Sequence, residues 1–482
     1  MKQILLFLIS LFLFSCSKEP ILNPIIKDID ESTLDDTNLN DNTETSDSFL
    51  FIGEEYSNIN NTTSHYVTQK TNRYISYDDI VDKLNVTQDS PQVYWHTNNR
   101  VTVVDDFDRN GKLDVFGFWF KSTPNYTQGH NEPGKYFLYL DFFTDNPKSP
   151  LYWDTELVYA CEMFLSDINN DGQNEIVVVN SNTHDDSSLT EKKVEVVYLT
   201  SNLNLNISQI GVDSESHDGT LGDVDNDGDV DIVFIPFGGQ WSYPEFPLLY
   251  RNDGNGNFSL EKLFKNESLE TDYKNFSSLA YEVFDLNNDG YLDLIQSSKL
   301  NIKRDWYSDP PLYFEVNQEI QIFWGDGSGN YNIENKTSFN VDDNFGYELA
   351  VLGYGFGDYD LDGDVDIFIT TTRAEDWQLV GFANVTQAVQ SGQYYNNYIL
   401  YAFENTEDGF VDITTDVISD RMNMTLTNYS DFYSIWFMDV DNDGDYDLVP
   451  GRNHAWTEYH QSDVLYWEKV GNSFVKKQID NL

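Results

Sequence analysis

One nine-residue pattern occurs six times in this chain of 482 residues. Each copy has Asp at position 1, Asp or Asn at positions 3 and 5, Gly at position 6, and Asp or Glu at position 9. In chain order the copies are Asp106, Asp108, Asn110, Gly111, Asp114; Asp167, Asn169, Asp171, Gly172, Glu175; Asp223, Asp225, Asp227, Gly228, Asp231; Asp285, Asn287, Asp289, Gly290, Asp293; Asp358, Asp360, Asp362, Gly363, Asp366; and Asp439, Asp441, Asp443, Gly444, Asp447. Because they start 56 to 81 residues apart, the chain is predicted to consist of repeated structural units.

The spacing of the oxygen-bearing side chains in each copy fits a calcium ion. Calcium takes six to eight oxygen ligands at about 2.3–2.6 Å. Side chains at positions 1, 3 and 5 point to one centre when the chain curls tightly, and Gly at position 6 accepts the positive φ of that bend. The acid at position 9 then completes the shell. The sequence therefore predicts about six Ca²⁺ ions, with the four oxygen-bearing residues of each copy as ligands.

The residues that flank the pattern exclude an EF-hand, which needs a Glu at position 12 and a helix on either side. Position 12 is instead occupied by Gly117, Val178, Phe234, Gln296, Ile369 and Pro450. Positions 2 and 10 are apolar or aromatic in every copy, and the runs 230–235 and 365–370 are rich in residues that favour strands. Each loop is therefore predicted to join two β-strands.

A second pair of strands is predicted after each loop. Residues 248–251 and 320–324 lead into Asn-Gly and Asp-Gly turns, which are typical of hairpins. The corresponding third strands elsewhere are predicted at 136–140, 194–199, 398–403 and 464–467. Four-stranded units cannot bury both faces alone, so they must stack around an axis. The predicted fold is all-β, a β-propeller of four-stranded blades.

The loops, the stretch 250–258 and the glycine-rich lead-in 353–357 resemble FG-GAP/VCBS repeats, the family that includes the propeller of integrin α-subunits. The resemblance covers roughly residues 101–478. It implies calcium at the loop positions given above and a propeller of seven blades. Residues 50–100 lack the loop but contain β-like pieces at 49–52, 65–68 and 73–76, so a degenerate seventh blade is expected there. The alternative is a six-bladed ring covered by an N-terminal segment.

The N-terminal residues predict export and a lipid anchor. Lys2 precedes a short apolar run, as in a secretory signal. Residues 13–16 resemble the bacterial lipobox, which implies lipidation of Cys16, although Phe14 departs from that pattern. We therefore expect a signal peptide at 1–15, a flexible acidic linker at 16–48 and the propeller at 49–482. The expected location is the outer membrane or cell surface, with the lipid anchor as the one contact with the membrane.

The charge of the chain restricts its partners. The 82 acidic and 28 basic residues give a formal net charge of −54, which argues against nucleic acid as a partner. Cys161 is the one cysteine besides Cys16, so no disulfide framework is possible. Calcium is therefore expected to supply stability that neither disulfides nor charge can supply.

The connections between second and third strands are the predicted ligand-binding region. They should all leave the blades at the edge opposite the metal loops, and they contain aromatic residues beside Arg and His, a combination suited to sugars or peptides. The candidates are Trp241, Tyr243, Arg304, Trp306, Arg373, Trp377, His454 and Trp456. The alternative is that these aromatic side chains pack between neighbouring blades.

Two functions from different classes are compatible with this sequence. The first is a surface-displayed binding or adhesion module for a glycan or protein ligand. The second is an enzyme, a polysaccharide lyase or hydrolase, in which Arg452, His454 and Tyr459 would act on the substrate. The seven His residues are scattered without metal-ligand spacing, and no nucleophile motif is present. We therefore favour the binding module.

Overall fold

The computed structural model describes residues 94–96, 102–122, 134–142, 144, 146, 148–155, 157, 160–180, 194–200, 202–211, 219–235, 248–265, 280–297, 300–302, 314–316, 319–341, 349–373, 398–419, 422–423, 431–438, 445–453 and 464–479. All of them belong to one compact unit, Asp47–Leu482. The predicted signal peptide with Cys16, the linker and the three β-like pieces at 49–52, 65–68 and 73–76 lie outside these residues.

The described residues form one two-stranded sheet and six larger sheets, each of which is built on four antiparallel strands in chain order. We number the six larger sheets as blades 1 to 6. The strands of blades 1 to 3 are β2 (Thr102–Asp105), β3 (Asp114–Ser122), β4 (Lys135–Tyr139) and β5 (Leu151–Asp154); β6 (Ala160–Ser166), β7 (Glu175–Asn180), β8 (Val194–Leu199) and β9 (Leu205–Ile210); and β10 (Thr220–Gly222), β11 (Asp231–Phe234), β12 (Leu248–Asn252) and β13 (Phe258–Lys262).

Blades 4 to 6 repeat this order. Their strands are β14 (Tyr281–Phe284), β15 (Asp293–Ser297), β18 (Glu319–Phe323) and β19 (Lys336–Asn340); β20 (Leu349–Gly357), β21 (Asp366–Arg373), β22 (Tyr398–Thr406) and β23 (Gly409–Asp412); and β26 (Asp431–Met438), β27 (Asp447–Asn453), β28 (Val464–Val470) and β29 (Ser473–Ile479). All six predicted third strands are present, so the prediction of four-stranded units is confirmed.

A few short elements accompany the blades. They are β1 (Tyr94–His96), which pairs with the far end of β3; the hairpin β16 (Leu300–Ile302) and β17 (Phe314–Val316); α1 (Thr414–Val417); β24 (Ile418–Ser419); and β25 (Met422–Asn423), which pairs with β22. β24 follows blade 5 in the chain but pairs in parallel with β29, the outer strand of blade 6. Among the residues that the structure describes, no helix has both the length and the apolar composition that crossing a bilayer requires.

Burial decreases from the inner to the outer strand of a blade. Every residue of β10, β11 and β14 is buried, as expected for strands covered on both faces. In contrast, β19 alternates between exposed and half-buried residues, as an outer strand does when it faces solvent. The apolar runs of the sequence therefore mark the inner strands, and the alternating runs mark the outer ones.

Apolar side chains from consecutive blades share their hydrophobic clusters. Phe116 of blade 1 and Met163 of blade 2 belong to one cluster, and Phe164 of blade 2 and Ile232 of blade 3 belong to the next. The phenyl rings of Phe284 in blade 4 and Phe356 in blade 5 have centroids 4.6 Å apart. The blades thus bury their faces against each other, which is how a propeller forms its core.

The fold is an all-β propeller, as predicted. Six blades are described, and in each of them one of the six predicted loops connects the first strand to the second. Of the residues expected to form a degenerate seventh blade, only β1 is described, and it extends the sheet of blade 1. The choice between seven and six blades therefore stays a prediction.

Candidate metal centres

Each metal loop joins the first two strands of its blade in the same register. The last residue of the first strand pairs with the position 9 acid in every blade. The pairs are Asp105 with Asp114, Ser166 with Glu175, Gly222 with Asp231, Phe284 with Asp293, Gly357 with Asp366, and Met438 with Asp447. The sequence thus places the loop between two strands correctly. We number the loops 1 to 6 with their blades; Asp439, Asp441 and Asp443 of loop 6 lie outside the described residues.

Two residues of each described loop have left-handed backbone conformations. Gly at position 6 has a φ of 83° in loop 1 and 101° in loop 5, as the sequence predicts. Position 4 also has positive φ, which sequence reasoning missed. Its residues are Arg109, Asn170, Asn226, Asn288 and Leu361, with φ between 56° and 63°. Asn tolerates this conformation better than most residues, so its recurrence at position 4 was the available signal.

Backbone N–H groups hold the carboxylate at position 1 in a fixed orientation. In loop 3, Asp223 Oδ1 accepts the N–H of Asp227 at 3.0 Å, and Oδ2 accepts the N–H of Gly228 at 2.8 Å. The same two bonds occur at Asp106, Asp167, Asp285 and Asp358. The curl of the chain itself therefore orders these oxygens.

The buried acid at position 9 connects the loop to the third strand. In blade 3, Asp231 Oδ2 accepts the N–H of Val224 at 3.3 Å, and Oδ1 accepts the N–H of Asn252 at 2.8 Å. Asp114, Asp293 and Asp366 make the same pair of bonds in their blades, and Asp447 bonds to the N–H of Lys469. The longer Glu175 uses its second oxygen for the side-chain amide of Asn169.

Carboxylate oxygens converge in three of the described loops. Each of these groups offers one oxygen per residue, and the oxygens lie within 4.8 Å of one another. The groups are Asp106, Asp108, Asp114; Asp223, Asp225, Asp227; and Asp358, Asp360, Asp366. Loops 2 and 4 have Asn at position 3, and the described part of these loops contains no group of three carboxylates this close. The convergence that the spacing predicts is therefore present in loops 1, 3 and 5.

The residues present fit a hard cation. Asp225 Oδ1 is buried and has no hydrogen-bond partner among the described residues. A buried carboxylate oxygen without a partner is costly, and a cation in the loop would satisfy it. The converging ligand atoms are all oxygens, which is the ligand type that calcium prefers. Asp223, Asp225 and Asp227 are thus suited to hold such an ion in loop 3.

Burial makes the position 9 acids sensitive to the charge of the loop. It raises the pKa of Asp114 to about 6, of Glu175 and Asp366 to about 7, and of Asp231 and Asp293 to about 8. The N–H donors favour the ionised form but do not outweigh the loss of water, and other loop carboxylates raise these pKa values further. A bound cation would stabilise the ionised form, so metal binding and deprotonation are coupled.

The metal loops lie at the same edge as the turns between the third and fourth strands. Asn170 of loop 2 donates its side-chain amide to the carbonyl oxygen of Gly254, in the turn of blade 3, at 3.3 Å. A Cβ atom on Gly256 of that turn would lie 2.7 Å from the Tyr198 hydroxyl of blade 2. We call this side of the propeller the metal-loop edge.

Connections between second and third strands leave the blades at the opposite edge, because neighbouring strands are antiparallel. Arg373, the last residue of β21, lies at that edge; its side chain is outside the described part of the structure. The other ligand-binding candidates fall wholly outside it. These are Trp241, Tyr243, Arg304, Trp306, Trp377, His454 and Trp456.

Comparisons with known proteins agree with the fold. Residues 223–295 match the family model described as FG-GAP-like repeat. No curated protein sequence is similar to this chain at a significant level. The matched stretch runs from loop 3 through the first hairpin of blade 4.

Several solved structures are similar to this one. A lectin from Agrocybe aegerita that recognises non-reducing terminal N-acetylglucosamine has 14% identity and a TM-score of 0.33, and the match covers 57% of this chain and 62% of the lectin. The exotype rhamnogalacturonan lyase YesX has 12% identity and a TM-score of 0.39, with 82% and 67% covered. The rhamnogalacturonan lyase YesW has 11% identity and a TM-score of 0.38, with 82% and 66% covered.

This chain thus spans less than two thirds of the lectin structure it resembles. Such low identities and TM-scores carry no argument about ligand or activity. The family match and the six sheets of one topology identify the chain as an all-β propeller that contains an FG-GAP-like repeat.

Proposed function

We propose that this protein is a calcium-stabilised propeller that acts as a binding or adhesion module for a glycan or protein ligand. One observation carries the calcium part of the proposal. The position 1 carboxylate is held in the same way in all five loops whose first six positions are described, and in loop 3 a buried Asp225 oxygen has no hydrogen-bond partner among the described residues. We expect about six Ca²⁺ ions, one per loop.

The proposed role of calcium is structural. Each position 9 acid already joins its loop to the third strand, or to Asn169 in blade 2. An ion shared by positions 1, 3, 5 and 9 would extend that connection to the rest of the loop and offset the repulsion between its carboxylates. Calcium would therefore strengthen the attachment of the first hairpin to the rest of the blade.

The calcium proposal is tested by measuring bound ions and thermal unfolding before and after chelation. We expect about six ions per chain and a melting temperature that falls by about 10 °C or more in chelator, since ligand binding stabilises the folded state. Asp362→Asn, in the exposed part of loop 5, should weaken binding of one ion. Asp408→Asn, in an exposed turn of the same blade, is the matched control and should leave binding unchanged. An unchanged melting temperature in chelator would contradict the proposal.

The proposed ligand-binding surface is the edge opposite the metal loops. In support of this proposal, the second strands of the blades end, and the third strands begin, at that edge, and the candidate residues fall in the sequence between these strands or at the end of β21. Aromatic faces with Arg and His beside them suit stacking on sugars or on peptide side chains. The net charge of −54 favours a neutral or cationic ligand, or one that calcium bridges.

A panel of neutral glycans, acidic glycans and surface proteins tests the ligand proposal. Saturable binding to a neutral glycan or a protein, weakened by Trp241→Ala or Trp456→Ala, is the expected result. Tyr152→Ala is the control, because Tyr152 is an exposed aromatic residue on the outer strand β5. New reducing ends or unsaturated products that disappear in His454→Ala would contradict a purely binding role and indicate the polysaccharide-degrading enzyme.

We further propose that the chain is exported and anchored by a lipid on Cys16 in the outer membrane or at the cell surface. The support is the resemblance of residues 13–16 to the lipobox and the acidic, aromatic-free segment that follows. Cys16→Ala should move the protein from the membrane fraction to the soluble fraction. A wild-type protein that incorporates no labelled fatty acid would contradict the proposal.

A further inference from the structure

The guanidinium group of Arg251 lies in the carboxylate cluster of loop 3. Its Nη1 contacts Asp225 Oδ2 and is 3.8 Å from Asp231 Oδ2. Its Nε donates to Glu261 Oε2, on β13, at 3.2 Å. The Arg251 side chain is only 17% exposed, so water screens its charge weakly. Loop 3 thus already contains a cation supplied by the chain.

Loop 1 also has a lysine, Lys148, near Asp108, but the Lys148 side chain is 48% exposed. Blade 3 differs from the other blades in the residue at the third-strand position of Arg251. Tyr250 of the third strand pairs with Ile232 at position 10 of the pattern, and Arg251 is the next residue in the chain. In each other blade, the residue after the partner of position 10 is therefore its equivalent. They are Leu140, Tyr198, Trp324, Glu404 and Glu468. None of them carries positive charge, and blade 5 has the acidic Glu404. Loops 3 and 5, each with four carboxylates, therefore have side chains of opposite charge at this register position. The Lys469 ammonium also reaches loop 5, but there it donates to the carbonyl oxygen of Tyr359.

Arg251 also joins loop 3 to the next blade. Its Nη2 donates to the carbonyl oxygen of Gly329, in the turn between the third and fourth strands of blade 4, at 3.0 Å. A Cβ atom on Gly329 would lie 2.3 Å from Nη2, so this close approach depends on glycine. The planar, forked guanidinium bonds three partners in three fixed directions at once, a geometry that the compact ammonium of a lysine does not reproduce.

The residues that form the three groups of converging carboxylates agree with the position of Arg251 in loop 3. In loops 1 and 5 the converging carboxylates include the position 9 acid, Asp114 or Asp366. In loop 3 they are the residues at positions 1, 3 and 5, and Asp231 is not among them. Asp231 lies instead near the guanidinium of Arg251.

We propose that Arg251 is a resident cation of loop 3. It keeps the loop folded and attached to blade 4 when calcium is absent, and its charge makes calcium binding there weaker than in loop 5. Only the comparison of calcium binding between loops 3 and 5 rests on the proposed function. Loop 5 has Glu404 in place of Arg251, and among the described residues the Lys469 ammonium contacts its Tyr359 carbonyl oxygen rather than its carboxylates, so the carboxylates of loop 5 depend on calcium for the same rigidity.

Hydrogen–deuterium exchange of the whole protein, in calcium and in chelator, tests this proposal. In the wild type we expect chelation to lower the protection of residues 358–366 by about tenfold or more, and that of residues 223–231 by less than about threefold. In Arg251→Met, the protection of loop 3 in chelator should fall by about tenfold, while loop 5 is unchanged. Lys148→Met is the matched control, because Lys148 contacts Asp108 of loop 1 at 3.1 Å and should not affect loop 3.

Two results would overturn the proposal: equal loss of protection in loops 3 and 5 of the wild type, or full protection of loop 3 in Arg251→Met with chelator. If Arg251→Met does not fold, Arg251→Lys replaces it, and a partial loss of protection in loop 3 is expected. If no calcium binds and loop 5 ignores the chelator, the calcium proposal fails. The exchange of loop 3 in the Arg251 variants still decides whether the guanidinium holds that loop.

Discussion

Asn252 donates its backbone N–H to Asp231 Oδ1 at 2.8 Å, and its side-chain amide to the carbonyl oxygen of Ile168 in loop 2 at 2.7 Å. One residue at the end of a third strand thus supports the metal loop of its own blade and that of the preceding blade. Asn405 makes the same two bonds between blades 4 and 5. Lys469 makes the corresponding bonds between blades 5 and 6, with its side-chain ammonium in place of the amide. We call these three residues the interblade braces.

Removing a brace should destabilise the protein. Asn252→Ala leaves the buried carbonyl oxygens of Ile168 and Val230 without their donor, which should cost about 1–3 kcal/mol. The measurement is urea unfolding in excess calcium. Asn255→Ala is the control, because its exposed side chain donates only within its own turn. Equal free energies of unfolding for the two variants would show that the braces contribute nothing.

Replacing Leu361 should stabilise loop 5. This residue has a φ of 63° and is 82% exposed, so it occupies a left-handed conformation without compensating burial. Leu361→Asn should raise the free energy of unfolding by about 0.5–1 kcal/mol, because Asn adopts this conformation at lower cost. Leu260→Asn, at a 43% exposed position in β13, should bring no gain. A gain in both variants would indicate that exposed leucine, rather than backbone conformation, is the cause.

The position 9 and position 5 acids should respond differently to amide substitution. Asp293→Asn places an NH₂ group opposite the N–H of Gly325 or Leu286, and should destabilise by about 1–3 kcal/mol both in calcium and in chelator. Asp289→Asn keeps the oxygen that accepts the N–H of Tyr291 and loses only the exposed bond of its second oxygen to the Asn287 amide, so it should matter mainly in calcium. Thermal melts of the two variants under both conditions make the comparison. Identical calcium dependence would contradict a structural role for Asp293.

Without metal, stability should decrease as the pH rises through neutrality. The position 9 acids have folded-state pKa values of about 6 to 8, raised by burial above their ordinary value. The folded state therefore binds more protons than the unfolded state between about pH 4 and pH 8, and its stability falls with rising pH throughout that range. Melting temperatures in chelator should drop from pH 5.5 to pH 8.5.

Calcium should remove most of this pH dependence, because the bound ion keeps the acids ionised. Calorimetric titration with calcium near pH 7, in buffers of different ionisation enthalpy, should detect proton release. Asp231→Asn should release fewer protons than the wild type. Stability in chelator that rises with pH over this range would contradict the raised pKa values.

The predictable parts of this structure depend on residues close in the chain. The strands on either side of each loop follow from apolar residues at positions 2 and 10, and the third strands follow from local turn chemistry. The bond between Asp231 and Asn252 spans 21 residues, and the pairing of β24 with β29 requires a segment after blade 5 to reach blade 6. No local pattern encodes those contacts. The position of Arg251 among the loop 3 carboxylates could not be predicted either, because Arg251 and Asp225 are 26 residues apart in the chain.

The interblade braces have a direction. In each of the three pairs the bracing residue belongs to the later blade, and the supported carbonyl belongs to the earlier one. During synthesis from the N-terminus, loops 2, 4 and 5 therefore emerge from the ribosome before the residues that complete them. Each of these loops stays half-supported until translation has delivered the third strand of its successor. Progressive truncation from the C-terminus would remove the brace of loop 5 first, then that of loop 4, and then that of loop 2.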